Sequence, residues 1–439
     1  MNLINGYDKI ENILKDNSSW KEFRTTSFHD FQKMGLPTRK NEEWKYLNIK
    51  PLADHFFTAT LTGGNKASLE TESIVSKELN KDFYNLVFIN GVLNKTISDM
   101  NELEKNIDLH LMEDVVAGKK PNADSIIQFF QKNFKKYGNK EENAFDKLNQ
   151  AFVGQGIVIE VKPNTVLKRP LHILNYISLE GGLSLACHTQ VYIQIGSGSN
   201  ISVIETFSGQ NDSRYFSNSK TEIFLNKNSK LNYLRNQSDS SQAFHIGRTK
   251  IYLDEFSTLN SLSYQVGSKL SRHNLDVYHI QKNSTSVIDG IYLCHKEQAI
   301  DNHTDIDHVV GECQSSQTYK GIIKDKAKAI FNGRVHIRHG SLKASSQQLN
   351  NNLLLSSEAE VDSKPELQIF ADDVQATHGS TIGQMNEEEI FYFESRSIPR
   401  TTAIEMLSFG FVNELIQKIE VNSISNWLGQ KMLATLRNL

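Results

Sequence analysis

The run "DDVQATHGSTIG", residues 372–383, sets one histidine, His378, among small residues, with Gly379 and Gly383 close behind it. Glycine at such positions lets other backbone approach closely, and a neutral imidazole can bind a soft or borderline metal. One imidazole does not close a metal site, so this chemistry would need ligands from elsewhere. The plain alternative is a histidine held in structural hydrogen bonds. A denser collection lies upstream. "LCHKEQAIDNHTDIDHVVGEC" holds Cys294, His295, Asp301, His303, Asp305, Asp307, His308 and Cys313, all residue types that suit zinc or iron. Its spacing matches no closed site, and strand alternation puts His303 and Asp305 on one face and His308 on the other. These residues therefore read as hydrogen-bonded parts of strands and turns. Asp372 and Asp373 could supply the paired carboxylates of polysaccharide cleavage, but Trp20, Trp44 and Trp427 all lie outside the strand region, which leaves no aromatic stripe for a sugar chain. No GxxxxGK[ST] is present. "GQGIVI" has Gly154 and Gly156 but no third glycine, and it precedes a strand, so the chain does not read as an ATPase.

The elements that must position His378 follow from periodicity. Residues 1–50 read as helical: "NGYDKIENILKD" and "WKEFRTTSFHDFQKMG" carry apolar residues at helical spacing, with Gly35 as a stop. "YNLVFINGVLNK" reads as a hairpin turning at Asn90-Gly91, and residues 97–151 as helix and link. From about residue 153 the period becomes two. Strand, short polar turn and strand recur, with Val191, Ile223, Ile251 and Val277 as loosely repeating first apolar residues. A repeated strand–turn–strand unit without helices predicts a β-solenoid, with a two-sheet sandwich as the alternative. The expected division is an N-terminal helical or mixed domain over 1–152, a solenoid core over 153–383 and a C-terminal helical domain over 384–439. In the last, Ile404, Leu407, Phe411 and Leu415 belong to an apolar arc of about 200°, where a helix resting on its own core needs ~100°. Such an arc fits a helix that serves both its own domain and a second chain, or one buried on two sides within one chain.

Composition bounds the function. The 439 residues carry a net charge of −3, 38% hydrophobic and 23% charged residues, which fits a globular chain of more than one domain and gives no basic excess for nucleic acid. The start has neither a basic nor an apolar leader segment, and no apolar run is long enough to span a bilayer, so a cytoplasmic location is expected. Cys187, Cys294 and Cys313 are too few and too scattered for a disulfide framework.

Four segments, "LPTRKNEEWKYLNI", "SSQTYKGIIKDKAKAIFNGRVHI", "NNNLLLSSEAEVDSKPELQIFADDVQATHGSTIGQMNEEEIFYFESRSIP" and the helical end, resemble the SufB/SufD family of iron–sulfur cluster assembly proteins, on its SufD side. The likeness runs over most of the chain and is loosest over 55–150. It implies a right-handed parallel β-helix flanked by helical domains. It also implies a non-catalytic scaffold that pairs with SufB through the β-helix, docks the SufC ATPase through the C-terminal helices, and receives sulfur indirectly from a cysteine desulfurase. An isolated chain of this kind could pair with itself. The cluster would be transient and shared with SufB, and the resemblance leaves open whether reduced flavin binds the complex. His378 matches the histidine of the family's "HGAT" run, near the SufB interface, and so becomes the candidate cluster ligand. Ala376 stands where cysteine is common in the family, so no thiolate comes from that position. "IEMLSFGFVNEL" has no cysteine, unlike SufB-like chains. The alternatives carried forward are a cytosolic β-helix enzyme acting on carbohydrate and a homodimeric scaffold.

Overall fold

The computed structural model describes residues 4–7, 18–60, 68–100, 103, 105–138, 141–179 and 184–439. Most of "NGYDKIENILKD" lies outside them. The rest of the N-terminal reading holds at Ser18–Met34, a helix that buries Trp20 and Phe31. Its stop is Gly35, at φ 67°, whose N–H returns to the Phe31 carbonyl at 3.0 Å. The hairpin is Tyr84–Ile89 with Val92–Leu93, and its turn residues Asn90 and Gly91 both have positive φ, as a type I′ turn requires.

From Gln155 to Gln384 the chain winds as a parallel β-solenoid of about eight turns. Strands alternate between a twelve-stranded and a ten-stranded sheet. Asn200, Lys230, Thr258, Thr285, Gln314, Ser345 and Gln375 occupy equivalent positions in successive coils of the ten-stranded sheet, an offset of about 30 residues. The apolar column expected from Ile223, Ile251 and Val277 is real and continues through Ile306, Val335 and Leu367. Val191 sits one alternation too early; the residue opposite Ile223 is Ile193. Asn228, Phe256, Asn283 and Asp325 take positive φ at the turns between strands, which is why polar residues predominate there.

The N-terminal residues are less helical than their periodicity suggested. Strands Phe57–Ala59 and Ile107–Leu111 join the twelve-stranded sheet, and the Tyr84–Leu93 hairpin ends the ten-stranded one. Phe57–Ala59 and Ile107–Leu111 are short and pair only through tertiary contact, so no local pattern announces them. After Gln384 come helices Glu387–Glu394, Arg400–Gln417 and Asn422–Arg437. Their apolar side chains Val412, Leu415, Ile416 and Leu428 form one cluster with Leu234 and Leu262 on the outer face of the ten-stranded sheet. No helix among the described residues is long and apolar enough to cross a membrane.

Candidate functional site at the open end of the solenoid

His378 lies on the last strand, Gln375–Gln384, which pairs on one side only, with Ser345–Leu354. Its register partner is Gln348, and the row continues back through Gln317, Ile288, Ser261 and Tyr233. Ile288 and Tyr233 belong to the interior core. On the last strand Ala376, two residues before His378, also packs on that core. Alternation therefore places His378 on the inward row. It is exposed, and among the described residues no further coil lies over it. Gln348 beneath it is buried and donates to Gln317 Oε1 at 2.7 Å, and Gln317 donates to Thr304 Oγ1 at 2.6 Å. The imidazole thus ends a short polar run, Gln317–Gln348–His378, beyond the apolar Ile288.

Around it the last coil is unsealed. Ile382, on the same inward row, is 50% exposed, and Ile369 and Phe370 are also open. Ser380 is hydrogen-bonded to Ser363 across the two sheets at 2.8 Å. Gly379 and Gly383 lie on the outward row; a Cβ at 379 would meet only Leu349 Cδ1 at 3.3 Å, and one at 383 would meet nothing. Neither glycine is demanded by packing within this chain. Asp372 and Asp373 sit in the exposed turn before the strand, where the Asp373 carbonyl accepts the Lys343 N–H at 2.8 Å.

The 294–313 stretch is structural. Asp301 accepts from Arg272 Nη1 at 3.1 Å and lies 3.0 Å from His303 Nε2. Arg334 pairs with Asp305, and Arg338 with Asp307. On the opposite face His308 stacks on His279, ring centroids 4.6 Å apart, and bonds Ser315 Oγ at 2.9 Å. Cys294 is fully buried, and burial drives its thiol well above the usual range. Among the described residues no group of three or more His, Cys, Asp or Glu is placed to hold a metal ion.

Of the four residues expected on a docking face, Leu415 is a correction. It is 1% exposed and belongs to the chain's own core. Phe411 is half-buried against that cluster, with the Lys320 ammonium 4.7 Å from its ring centroid. Ile404 and Leu407 are half-exposed and lie outside the cluster. Beside them the hairpin exposes Phe391 (70%), Tyr392 (54%) and Met406 (48%), which the helical-wheel reading missed. "FYFE" was the available signal: consecutive aromatics on one short helix cannot all face its own core.

Comparison with known proteins now decides the family. Residues 177–411 match the model described as SUF system FeS cluster assembly, SufBD core domain, and residues 1–173 match the SufBD protein N-terminal region. The chain belongs to the SufBD family. Similar relatives include an iron–sulfur cluster assembly SufBD family protein of Synechocystis sp., 29% identical over 90% of this chain and 86% of that protein. The iron–sulfur cluster assembly protein SufD of Escherichia coli is 28% identical over 92% and 89%, and SufD of Bacillus subtilis is 25% identical over 72% of each. The family core model begins at residue 177, after the first solenoid strands, takes in the rest of the solenoid, His378 included, and ends at residue 411, within the second C-terminal helix.

Proposed function

We propose that this SufBD-family chain is a non-catalytic, cytoplasmic scaffold subunit in iron–sulfur cluster assembly, that its open end stacks on a SufB-type paralogue, and that His378 gives a nitrogen ligand to the cluster at the seam. The cluster is cargo, and the partner would supply its thiolates. The carrying observation is that His378 stands on the inward row of a coil with no cover. A second solenoid stacked there would bury the imidazole between two interiors, away from water. On the same reading, Phe391, Tyr392 and Met406, with Ile404, Leu407 and the edge of Phe411, form the face on which a SufC-type ATPase docks.

His378→Ala and His378→Gln should leave the melting temperature and partner association near wild type while lowering iron and sulfide on the reconstituted complex by roughly tenfold or more. Unchanged iron and sulfide with both variants would remove the ligand role. A dissociated complex would make His378 a structural residue. His303→Ala should instead act through stability, because its ring bridges Asp301 and Arg272 inside the fold.

A further inference from the structure

The solenoid interior is not uniformly apolar. One inward row runs Glu205, Arg235, Ser263, Gly290, Tyr319, Asn350 and Ser380, each opposite the next on adjacent strands. Arg235 is 1% exposed. Its Nη2 donates to His245 Nε2 at 2.7 Å, and His245 Nδ1 donates to Asp239 Oδ2 at 3.0 Å. Arg235 Nη1 has no partner, nor do Ser263 Oγ and Tyr319 Oη, all buried on the same row. On the neighbouring inward row Gln237 Oε1 and Gln265 Nε2, which face each other in register, are also unpartnered.

Glycines let two tyrosine rings cross the interior. A Cβ on Gly290 would lie 2.2 Å from Tyr319 Cε1, so the Tyr319 ring leans back across that strand, towards Ser263 and Arg235. A Cβ on Gly321 would lie 2.2 Å from Tyr292 Cε2, so that ring leans the other way. Tyr292 Oη donates to Asn352 Oδ1 at 2.5 Å, Asn352 donates to Asn350 Oδ1 at 2.8 Å, and Ser363 Oγ donates to the same Asn350 oxygen at 2.8 Å and contacts Ser380. The forward half of the interior is therefore wired by side chains to the exposed last coil, while the rear half ends in orphaned atoms.

Orphaned donors alone would call for an anion. Here donors (Arg235 Nη1, Gln265 Nε2) stand with an acceptor (Gln237 Oε1) and two hydroxyls that can be either. Two buried carboxylates already face Arg235: Glu205, opposite it on the adjacent strand, and Asp239, on the far side of His245. That mixture suits a molecule that both donates and accepts. Buried groups of this kind are satisfied by ordered water rather than left bare.

We propose that the solenoid interior binds a file of ordered water, from Arg235 past Ser263 and Tyr319, that exchanges with solvent through the Asn350–Ser380 end beside His378. The open end would then present a wet, proton-exchanging floor to whatever stacks on it.

The sign of a stability change tests this. Where the atoms are dry orphans, Tyr319→Phe and Ser263→Ala remove a buried unsatisfied group, and the melting temperature stays level or rises. Where water bridges them, both variants strip a hydrogen bond from the file, and the temperature falls by about 1–3 °C. A level or raised temperature in both overturns the proposal, as does a high-resolution crystal structure without water within hydrogen-bonding distance of Arg235 Nη1. For the route, Ser380→Trp should lengthen the residence time of internal water measured by magnetic relaxation dispersion in the full chain. An unchanged residence time would show that the file does not exchange through this end.

Discussion

The two ends of the solenoid face one problem and treat it in opposite ways. A coil with no neighbour leaves a row of main-chain donors and acceptors unpaired and an apolar interior exposed. At the N-terminal end the chain covers both. The Tyr84–Leu93 hairpin closes the ten-stranded sheet, Ile107–Leu111 runs antiparallel along Gln155–Val161, and Leu86 and Val87 are fully buried. At the C-terminal end no described residue covers the last coil, although Ala376 and Ile382 keep apolar side chains on its inward face. The two open edges there also differ. Glu360–Ile369 carries Lys364 and Pro365, residues that blunt an edge, whereas Gln375–Gln384 carries neither. The contrast fits the proposed function: one end is sealed within the chain, and on that proposal the unguarded strand with His378 would be the one left for a second chain.

The largest effect is expected on the flank of the solenoid, where the N-terminal segment packs on the middle of the twelve-stranded sheet. Arg272 is fully buried, 4.0 Å from the Trp44 ring centroid, bonded to Asp301 and to the Glu43 carbonyl, and so pins the N-terminal segment to the solenoid. Arg272→Ala leaves Asp301 buried with only His303 beside it, and should cost about 3–5 kcal/mol in urea unfolding. A loss below 1 kcal/mol would mean that the cap is held elsewhere. Glu142 gives the next effect. Burial pushes its carboxyl up, but Lys220, Lys250 and Lys147 outweigh it and hold the group down at about 2. A depressed carboxylate stabilises the fold above its unfolded value, near 4.3, and that stability is lost as pH falls towards 2. Glu142→Gln should therefore cost roughly 2–3 kcal/mol at pH 7 and flatten the acid limb of the stability profile between pH 4.5 and 2. An unchanged acid limb would take Glu142 out of the cap's anchoring.

How far this contrast could be read beforehand depends on the reach of each signal. The coil column Ile223–Ile251–Val277 was legible because both sheets bury one face at a period of two. Its start was misjudged by one alternation, since Val191 and Ile193 are equally apolar and only pairing tells them apart. His378 was legible as a residue but not as an inward one, because that follows from register with Gln348. Arg235, His245 and His273 look like outward polar residues of an alternating strand, and only the winding turns them inside. Leu415 went to the wrong side because a helical wheel gives the width of an apolar arc, not which part of it meets the chain's own sheet.

The C-terminal helices pack on the outer face of the ten-stranded sheet, where Lys418 reaches Asp289. Burial raises its carboxyl to about 6, against the opposing pull of Lys418 at 3.3 Å. In the unfolded chain the group titrates near 3.9. Between those values the folded state holds more protons, so stability falls as pH rises from 4 through 6. Asp289→Asn should remove that slope and raise stability at pH 7 by roughly 2–3 kcal/mol, with a far smaller difference from wild type at pH 4. A fall at pH 7 would mean that the Lys418 pair outweighs the cost of burying the charge.

The smallest effect on the isolated chain is expected where the function is placed. Ile382 sits on the inward row of the unguarded strand and is half exposed, so Ile382→Asp buries no charge in the free protein. Its melting temperature should stay within the range of surface substitutions, about 0.5 kcal/mol. Once another coil stacks on this end, the same carboxylate would be trapped without a partner between two interiors, which is costly. Association with a SufB-type chain, followed by analytical ultracentrifugation, should weaken by at least about tenfold, or 1.4 kcal/mol. Ile369→Asp, on the edge that Lys364 and Pro365 blunt, should weaken it less. Equal losses from both would show that the partner covers the whole end rather than adding to one strand. No loss from either would leave the open end without a binding role and move the search for the partner surface to Phe391, Tyr392 and Met406.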